Sequence, residues 1–318
     1  MQKARILVSV IVPLYNKENY FERCFNSIAR QTYGDIECVI VEDCSTDKSL
    51  ELAESLIASY NGSIDFVLIK HEINAGVSSA RNTGINNASG QYAYFLDADD
   101  EITDNCISSL ISLVLEYPGV DMVQGNHLQI NMKGEKYFFT EFNKLPRFYS
   151  GNYEIKKKYF SIFPRVPWNK LINMKFLTNN NLFFKNGIIH EDVLWAFFLL
   201  KNIGSFAYSS ESLYTRYLVP DSIMRQTDLT TSISSILTLC EDMLSNLDVD
   251  LLDYQLFDIR KRLYRQKKRI LSDEKYFFLL ARHRAVSARV PSGTALFFLA
   301  VRYAVKKAFY NVKMLLKI

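Results

Sequence analysis

Short apolar runs recur along the first 125 or so residues, separated by polar segments with helical spacing. VSVIVPL (8–14), IECVIVED (36–43), IDFVLIKHE (64–72), QYAYFLD (91–97) and VDMVQGNH (120–127) are rich in β-branched, aliphatic and aromatic residues. Runs of this kind suit strands buried on both faces of a largely parallel sheet. Helices are expected between them at roughly 18–32, 47–60, 77–89 and 103–117. The second opens in DCSTDKSLELAESL, where Ser45 or Thr46 is placed to cap it and Asp47 and Glu51 suit its first turn. The alternation is βαβαβ and predicts an α/β layered domain. Regularity fades from about 128 to 190, where Pro146, Pro164 and Pro167 interrupt an aromatic-rich stretch. From 228 onward the pattern is almost wholly helical, which divides the chain into 1–227 and an α-helical C-terminal region, 228–318.

Composition adds few constraints. The 318 residues are 48% hydrophobic and 23% charged, without a low-complexity tract, as in an ordered globular protein. The five cysteines are scattered and form no CxxC pair, which favours reduced thiols in the cytoplasm over a disulfide framework or a zinc site. MQKARILVSVIVPLYN superficially mimics a secretion signal. Its apolar run is short and lacks a small-residue cleavage site, so it reads as a first buried strand.

Charge is uneven. Residues 251–318 hold sixteen Lys and Arg against four Asp and Glu, whereas the remainder holds 22 against 30. In TALFFLAVRYAVKKAFYNVKMLLKI, Arg302, Lys306, Lys313 and Lys317 fall on one helical face. The segment is too short in apolar residues to span a bilayer. Two readings stay open: a helix lying on an anionic membrane surface, or one packing its apolar face on protein. No nucleic-acid-binding fold accompanies the charge, and no nucleic acid partner is expected.

The chemistry-bearing residues collect where strands end. The first strand ends in Pro13-Leu14-Tyr15-Asn16 and the second in Glu42-Asp43, with Asp47 close behind. NAGVSSARNTG supplies Asn74, Gly76 and Arg81 after the third, and the fourth ends in Asp97-Ala98-Asp99-Asp100. A lone Asp at such a place reads as turn chemistry or a helix cap. Recurrence at four strand ends favours a ligand crevice, because open α/β sheets bind ligands outside the carboxyl ends of their strands. Neither GxGxxG nor GxxxxGK[ST] is present, which argues against a dinucleotide-binding Rossmann unit and a P-loop. A diphosphate here would call for a divalent cation, and Asp97 and Asp99 offer hard oxygen ligands to Mg²⁺ or Mn²⁺.

Taken in order, VSVIVPLYN, VEDCSTD, NAGVSSARNTGI and YFLDADD resemble the family-2 glycosyltransferases, and the likeness runs from residue 7 to about 225. The resemblance implies a GT-A fold: a mainly parallel central sheet flanked by helices, here with the helical C-terminal extension. It implies that Pro13 and Tyr15 line a nucleoside pocket and that Asp43 hydrogen-bonds the base, usually uracil. Arg81 would sit near the nucleotide, Asp97 towards the ribose and Asp99 on the metal, while Asp100 would cap the next helix or join the site. In NGIIHEDVLWAFFLL, Glu191 and Asp192 are two acids that suit a helix N-terminus; by resemblance Asp192 is the catalytic base. His190 is a weaker candidate for orienting substrate. In RVPWNKLINMKFL, Trp168 and Lys170 would border the acceptor, Trp168 stacking a sugar or serving as a core aromatic. In LYTRYLVPDSIMRQ, Arg216 or Arg225 would neutralise diphosphate from a closing segment.

The expected activity is inverting transfer of a sugar from a nucleotide donor, a UDP-sugar by resemblance, to the hydroxyl of a glycan or lipid-linked saccharide. That would place the enzyme in bacterial surface-polysaccharide or glycolipid synthesis, at the cytoplasmic face of the membrane. A sugar nucleotidyltransferase and a non-catalytic nucleotide-sugar-binding protein are the rival readings.

Overall fold

The computed structural model describes residues 5–138, 146–151, 156, 164–219 and 229–247, and beyond these 255, 258–259, 261–262 and 281–283. The apolar runs become β1 (Val8–Leu14), β2 (Ile36–Glu42), β3 (Asp65–Lys70), β4 (Tyr92–Phe95) and β6 (Met122–Ile130), with the two-residue β5 (Glu101–Ile102) between the last two. The expected helices are α1 (Phe21–Ala29), α2 (Ser49–Ser59), α3 (Val77–Asn87) and α4 (Cys106–Glu116). The stretch with the weakest periodicity contributes β7 (Lys136–Phe138), β8 (Phe148–Ser150), β9 (Lys170–Asn173) and α5 (Met174–Asn179). Then come α6 (Glu191–Asn202), the long β10 (Ser205–Tyr217) and α7 (Leu229–Ser245). The chain separates into two compact units, 1–227 and 228–318. The basic amphipathic segment near the C-terminus, like Arg225, lies outside the described residues.

The strands of the first unit form one sheet in the order β3-β2-β1-β4-β9-β6-β10-β5, with β7 paired to β6 and β8 to β10. β3, β2, β1 and β4 are parallel, with Val10 beside Cys38 on one side and Tyr94 on the other. β9 runs antiparallel to both β4 and β6, and β10 is parallel to β6. Two reversals restore direction, so β6 and β10 point the same way as β1–β4. Six carboxyl ends therefore share one edge, and β9 begins on that edge with Lys170.

Both faces of the parallel part are covered, which is why its strands read as continuous apolar runs. Val8, Val10, Val12 and Leu14 pack with Phe21, Cys24, Phe25 and Ile28 of α1 on one side. On the other, Val39 and Val41 meet Ala80 of α3. Gly84 lets that helix lie directly on β1, since a Cβ there would come 2.3 Å from Cγ2 of Ile11. The cap expected at Ser45 or Thr46 is not formed: both hydroxyls engage Asn16, and Asp47 accepts instead from Ser49 N at 2.9 Å. The β1–α1 turn thus competes for the capping hydroxyls and pins itself to the β2–α2 loop.

At the opposite edge one buried carboxylate ties three strands together. Glu37 accepts from Ser9 Oγ, Ser89 N, Ser89 Oγ and Gly90 N, so β2 holds the starts of β1 and β4. Burial pushes its carboxyl up, but these donated bonds outweigh burial and hold it below the usual Glu value. A depressed folded-state value means stability that is present above the unfolded value and is lost as pH falls through the folded one. Glu37→Gln is therefore expected to lose about 1–3 kcal/mol at pH 7. Denaturant unfolding should show that deficit shrinking below about pH 4, where the wild-type side chain also protonates; a pH-independent deficit would contradict the assignment.

Candidate active site at the carboxyl edge of the sheet

The centre of the edge is a buried arginine. Arg81, on α3 and 5% exposed, donates from Nη2 to Asp97 Oδ1 at 2.9 Å and from Nη1 to Glu191 Oε1 at 2.8 Å. Its guanidinium also lies 5.2 Å from the ring centre of Phe184. Burial opposes the Arg81 charge; Asp97 and Glu191, with a smaller contribution from Asp192, outweigh it and hold the group above its ordinary value. The adjacent acids Glu191 and Asp192 thus have a cation beside them. α6 reaches this place because Trp195 is anchored: its Nε1 donates to Leu182 O at 3.0 Å, and its ring stacks on Phe184 and meets Phe95 of β4 edge-on. Asp192 follows in the first turn of α6 and accepts from Val193 N at 2.8 Å. His190 precedes it with φ +67°, in the left-handed region.

The three aspartates after β4 have separate partners. Asp97 is held by Arg81, as above. Asp99 Oδ2 is 2.6 Å from Lys17 Nζ, in the β1–α1 turn, and its carbonyl accepts from Arg23 Nη2. Arg23 in turn lies over Tyr217, 3.6 Å from the ring centre. Asp100 is buried and faces β10, with Tyr214 Oη 2.6 Å from Oδ2 and Tyr217 N donating to Oδ1 at 2.8 Å. Burial first, then Asp99 and Asp97, push the Asp100 carboxyl well up, against the bonds from Tyr214 and Tyr217. Asp100 does not cap α4, which begins six residues later; it ties the fourth-strand turn to β10.

Asp43, 2% exposed, accepts from Ala75 N (2.9 Å) and Gly76 N (2.7 Å) and pairs with His71, Nδ1 to Oδ1 at 2.6 Å. His71 continues to Thr83 Oγ1 at 2.9 Å. Gly76 takes φ +85° at the head of α3, a conformation that favours glycine, and this turns its N–H onto Asp43. Asp43 thus shapes the β3–α3 loop, and a base contact would come in addition. Pro13 lies at the end of β1, and Tyr15, just beyond it, is 38% exposed and open to a ligand. Among the described residues five non-glycine residues have positive φ, and Asn16, Cys44, Asn169 and His190 of these lie at this edge. Such backbone conformations concentrate where structure is held against local preference.

Trp168 and Lys170, expected at the acceptor, and Arg216, expected on a closing segment, are held within the fold. Trp168 is a core aromatic: it is 5% exposed, bridges to Phe95 and stacks on Tyr214 at 4.7 Å, so it offers no open platform for a sugar. Lys170 is fully buried, and its Nζ points at the carbonyls of Val166 (2.7 Å), Trp168 (3.3 Å) and Pro164 (3.4 Å), tying the loop before β9. Burial lowers its amine well below the ordinary value, and Asp192 works in the opposite direction. Arg216 lies within β10, not on a loop, with Nη1 3.3 Å from Gln129 Oε1. Sequence reasoning passed over Lys17, Arg23, His71, Tyr214 and Tyr217. Only Lys17 carried a signal, as a basic residue in the turn after β1.

Among the described residues no group of three or more His, Cys, Asp or Glu side chains could hold a metal ion by itself. The oxygen donors of Asp97 and Asp99 still fit a hard divalent cation whose shell is completed by phosphate and water. Among the same residues no helix is long and apolar enough to cross a membrane.

A mainly parallel sheet with carboxylates and one buried arginine at its carboxyl edge is the arrangement expected of the GT-A class. Residues 9–180, more than half of the chain, match the model of glycosyl transferase family 2, and the chain belongs to that family. It is 32% identical over 227 residues to the uncharacterized glycosyltransferase YibD of Escherichia coli K12, covering 69% of this chain and 63% of YibD. The crystal structure of S. aureus TarS 1–349 in complex with UDP-GlcNAc superposes with a TM-score of 0.71 at 21% identity, over 91% of this chain and 85% of that one. The mannosyltransferase PcManGT from Pyrobaculum calidifontis, in complex with GDP-Man and Mn²⁺, gives 0.59 at 15% identity, over 95% and 81%. These likenesses show the GT-A fold.

Asp100→Asn keeps an acceptor for Tyr217 N and a polar partner for the Tyr214 hydroxyl. Asp100→Ala keeps neither. In thermal unfolding the alanine variant is expected to be less stable than the asparagine variant by about 1–3 kcal/mol. Equal losses would show that Asp100 does not tie β10 to the aspartate turn.

Proposed function

We propose that this chain is an inverting glycosyltransferase that moves a sugar from a nucleoside diphosphate, UDP in the first instance, to a hydroxyl of a glycan or lipid-linked saccharide. The observation that carries the reading is the Arg81 bridge. One cation joins Asp97, at the end of β4, to Glu191, beside Asp192, so the donor-side and base-side carboxylates form one unit. UDP-GlcNAc and GDP-Man in the two similar structures support a nucleotide-sugar donor.

In this reading Asp192 accepts the proton of the acceptor hydroxyl while that oxygen bonds to the anomeric carbon from the face opposite the leaving group. The bond between the anomeric carbon and the diphosphate oxygen breaks, and its electron pair departs with the nucleoside diphosphate. A divalent cation, Mn²⁺ or Mg²⁺, would be held by Asp99 with Asp97 nearby, and it supplies charge neutralisation to the leaving diphosphate. Tyr15 and Pro13 offer a surface to the nucleoside, Asp43 a carboxylate edge to the base, and Arg81 orients Asp97 towards the donor. The carbonyl-caged Lys170 keeps the loop before β9 in place beside Asp192. The family membership and the basic C-terminal sequence support a role in assembling surface polysaccharide or glycolipid at the inner face of a membrane.

Two substitutions test separate parts of this assignment. Asp192→Asn should lower transfer from a UDP-sugar by at least about 10²–10⁴-fold while leaving UDP affinity within a few-fold of wild type. Asp99→Ala should instead weaken UDP binding measured by calorimetry with Mn²⁺ present. Near-normal turnover in Asp192→Asn would overturn the base assignment.

A further inference from the structure

Lys17 meets Asp99 in a way that the reading above leaves unused. The pair is close, 2.6 Å, and shielded: the Lys17 side chain is 16% exposed and that of Asp99 is 19% exposed. Both backbones are fixed. Lys17 N donates to Ser49 Oγ at 2.7 Å, and Asn16 N, one residue earlier, donates to Ser45 Oγ at 3.1 Å. The Asp99 carbonyl is held by Arg23. The lysine side chain, a flexible four-carbon stem, is the part free to move. Its ammonium also lies 5.8 Å from the ring centre of Tyr20, an aromatic face that can share its charge.

A divalent cation bound to Asp99 would stand about 2.1 Å from a carboxylate oxygen, against the ammonium already on that carboxylate. Two cations on one shielded carboxylate repel strongly. The conflict disappears when a diphosphate arrives, because its oxygens give both cations anionic partners. We propose that Lys17 is an internal counter-ion. In the empty site it occupies Asp99 and disfavours a lone divalent cation. When a nucleoside diphosphate enters, it passes from Asp99 to the diphosphate, so that metal and nucleotide bind as a pair. This inference rests on the nucleotide-diphosphate reading of the site and adds to it a residue that makes the two ligands cooperative.

The consequence is a coupling that can be measured from either ligand, since the effect of each on the other's affinity must be equal. Mn²⁺ binding to the full chain is followed by the electron paramagnetic resonance of free Mn²⁺, alone and with saturating UDP or GDP, whichever binds the wild type more tightly. In the wild type, nucleotide should tighten Mn²⁺ by about 10-fold or more, within the usual range of couplings. Lys17→Gln should bind Mn²⁺ several-fold more tightly than wild type without nucleotide and should bind the nucleotide more weakly with Mn²⁺ present, so that the coupling shrinks. Lys17→Arg, which keeps the charge, should retain most of it. Thermal unfolding of each variant checks that the β1–α1 turn is intact. If the wild type couples Mn²⁺ and nucleotide and Lys17→Gln leaves both affinities unchanged, the counter-ion role is wrong and the donor reading stands. If the wild type binds neither UDP nor GDP with Mn²⁺, the donor reading falls and this inference falls with it.

Discussion

The carboxyl edge of the sheet depends on one buried guanidinium. Arg81 sits on α3, reaches Asp97 beyond β4 and holds Glu191 at the head of α6, 110 residues along the chain. Taking a charge out of water is costly, and a buried ion pair becomes strongly destabilising once a partner is lost. The surroundings accordingly over-determine Arg81: Gly84 seats its helix on β1, Phe184 covers its face, and Trp195 fixes the helix that brings Glu191. With the Arg81 charge paired through both Nη atoms, two groups of like charge can stand at the same crevice without driving it open.

Around that bridge the acids divide their work by position. Asp97 faces Arg81, Asp99 faces Lys17, and Asp100 is turned away into β10. Asp43 shapes the neighbouring loop through two backbone N–H groups and His71. A run of carboxylates that would repel in isolation is thus separated by cations and donors drawn from four different segments. The antiparallel β9 makes this possible. Its reversal carries β6 and β10 back into the common direction, so Tyr214 and Tyr217 arrive at the edge where the aspartates lie.

The parallel half of the sheet was legible because its strands are buried on both faces and announce themselves as apolar runs. β9 and β10 were not. β9 opens on Lys170, which a strand pattern counts as polar, although its Nζ is buried among carbonyls. β10 carries SSES in its middle, where its register with β6 shifts. Asp97, Asp99 and Arg81 could be placed at one edge from their position after strands, but their partners could not. Glu191 is distant in sequence, and a lysine in a turn looks solvated until Asp99 is found beside it. Between the two readings open for Trp168, the core one depends on Tyr214 from a remote segment, whereas Lys170 is enclosed by carbonyls two to six residues before it.

The central claim is that Arg81 makes Asp97 and Glu191 a single unit. Its most direct test is a double-mutant cycle on single-turnover transfer or hydrolysis of a UDP-sugar, comparing Arg81→Gln, Glu191→Gln and the two combined. Residues that act as a unit give losses that do not add. The combined variant should therefore lose little more than the worse single one. Losses that simply add would mean that Arg81 and Glu191 act separately, and the bridge would be no more than a structural contact.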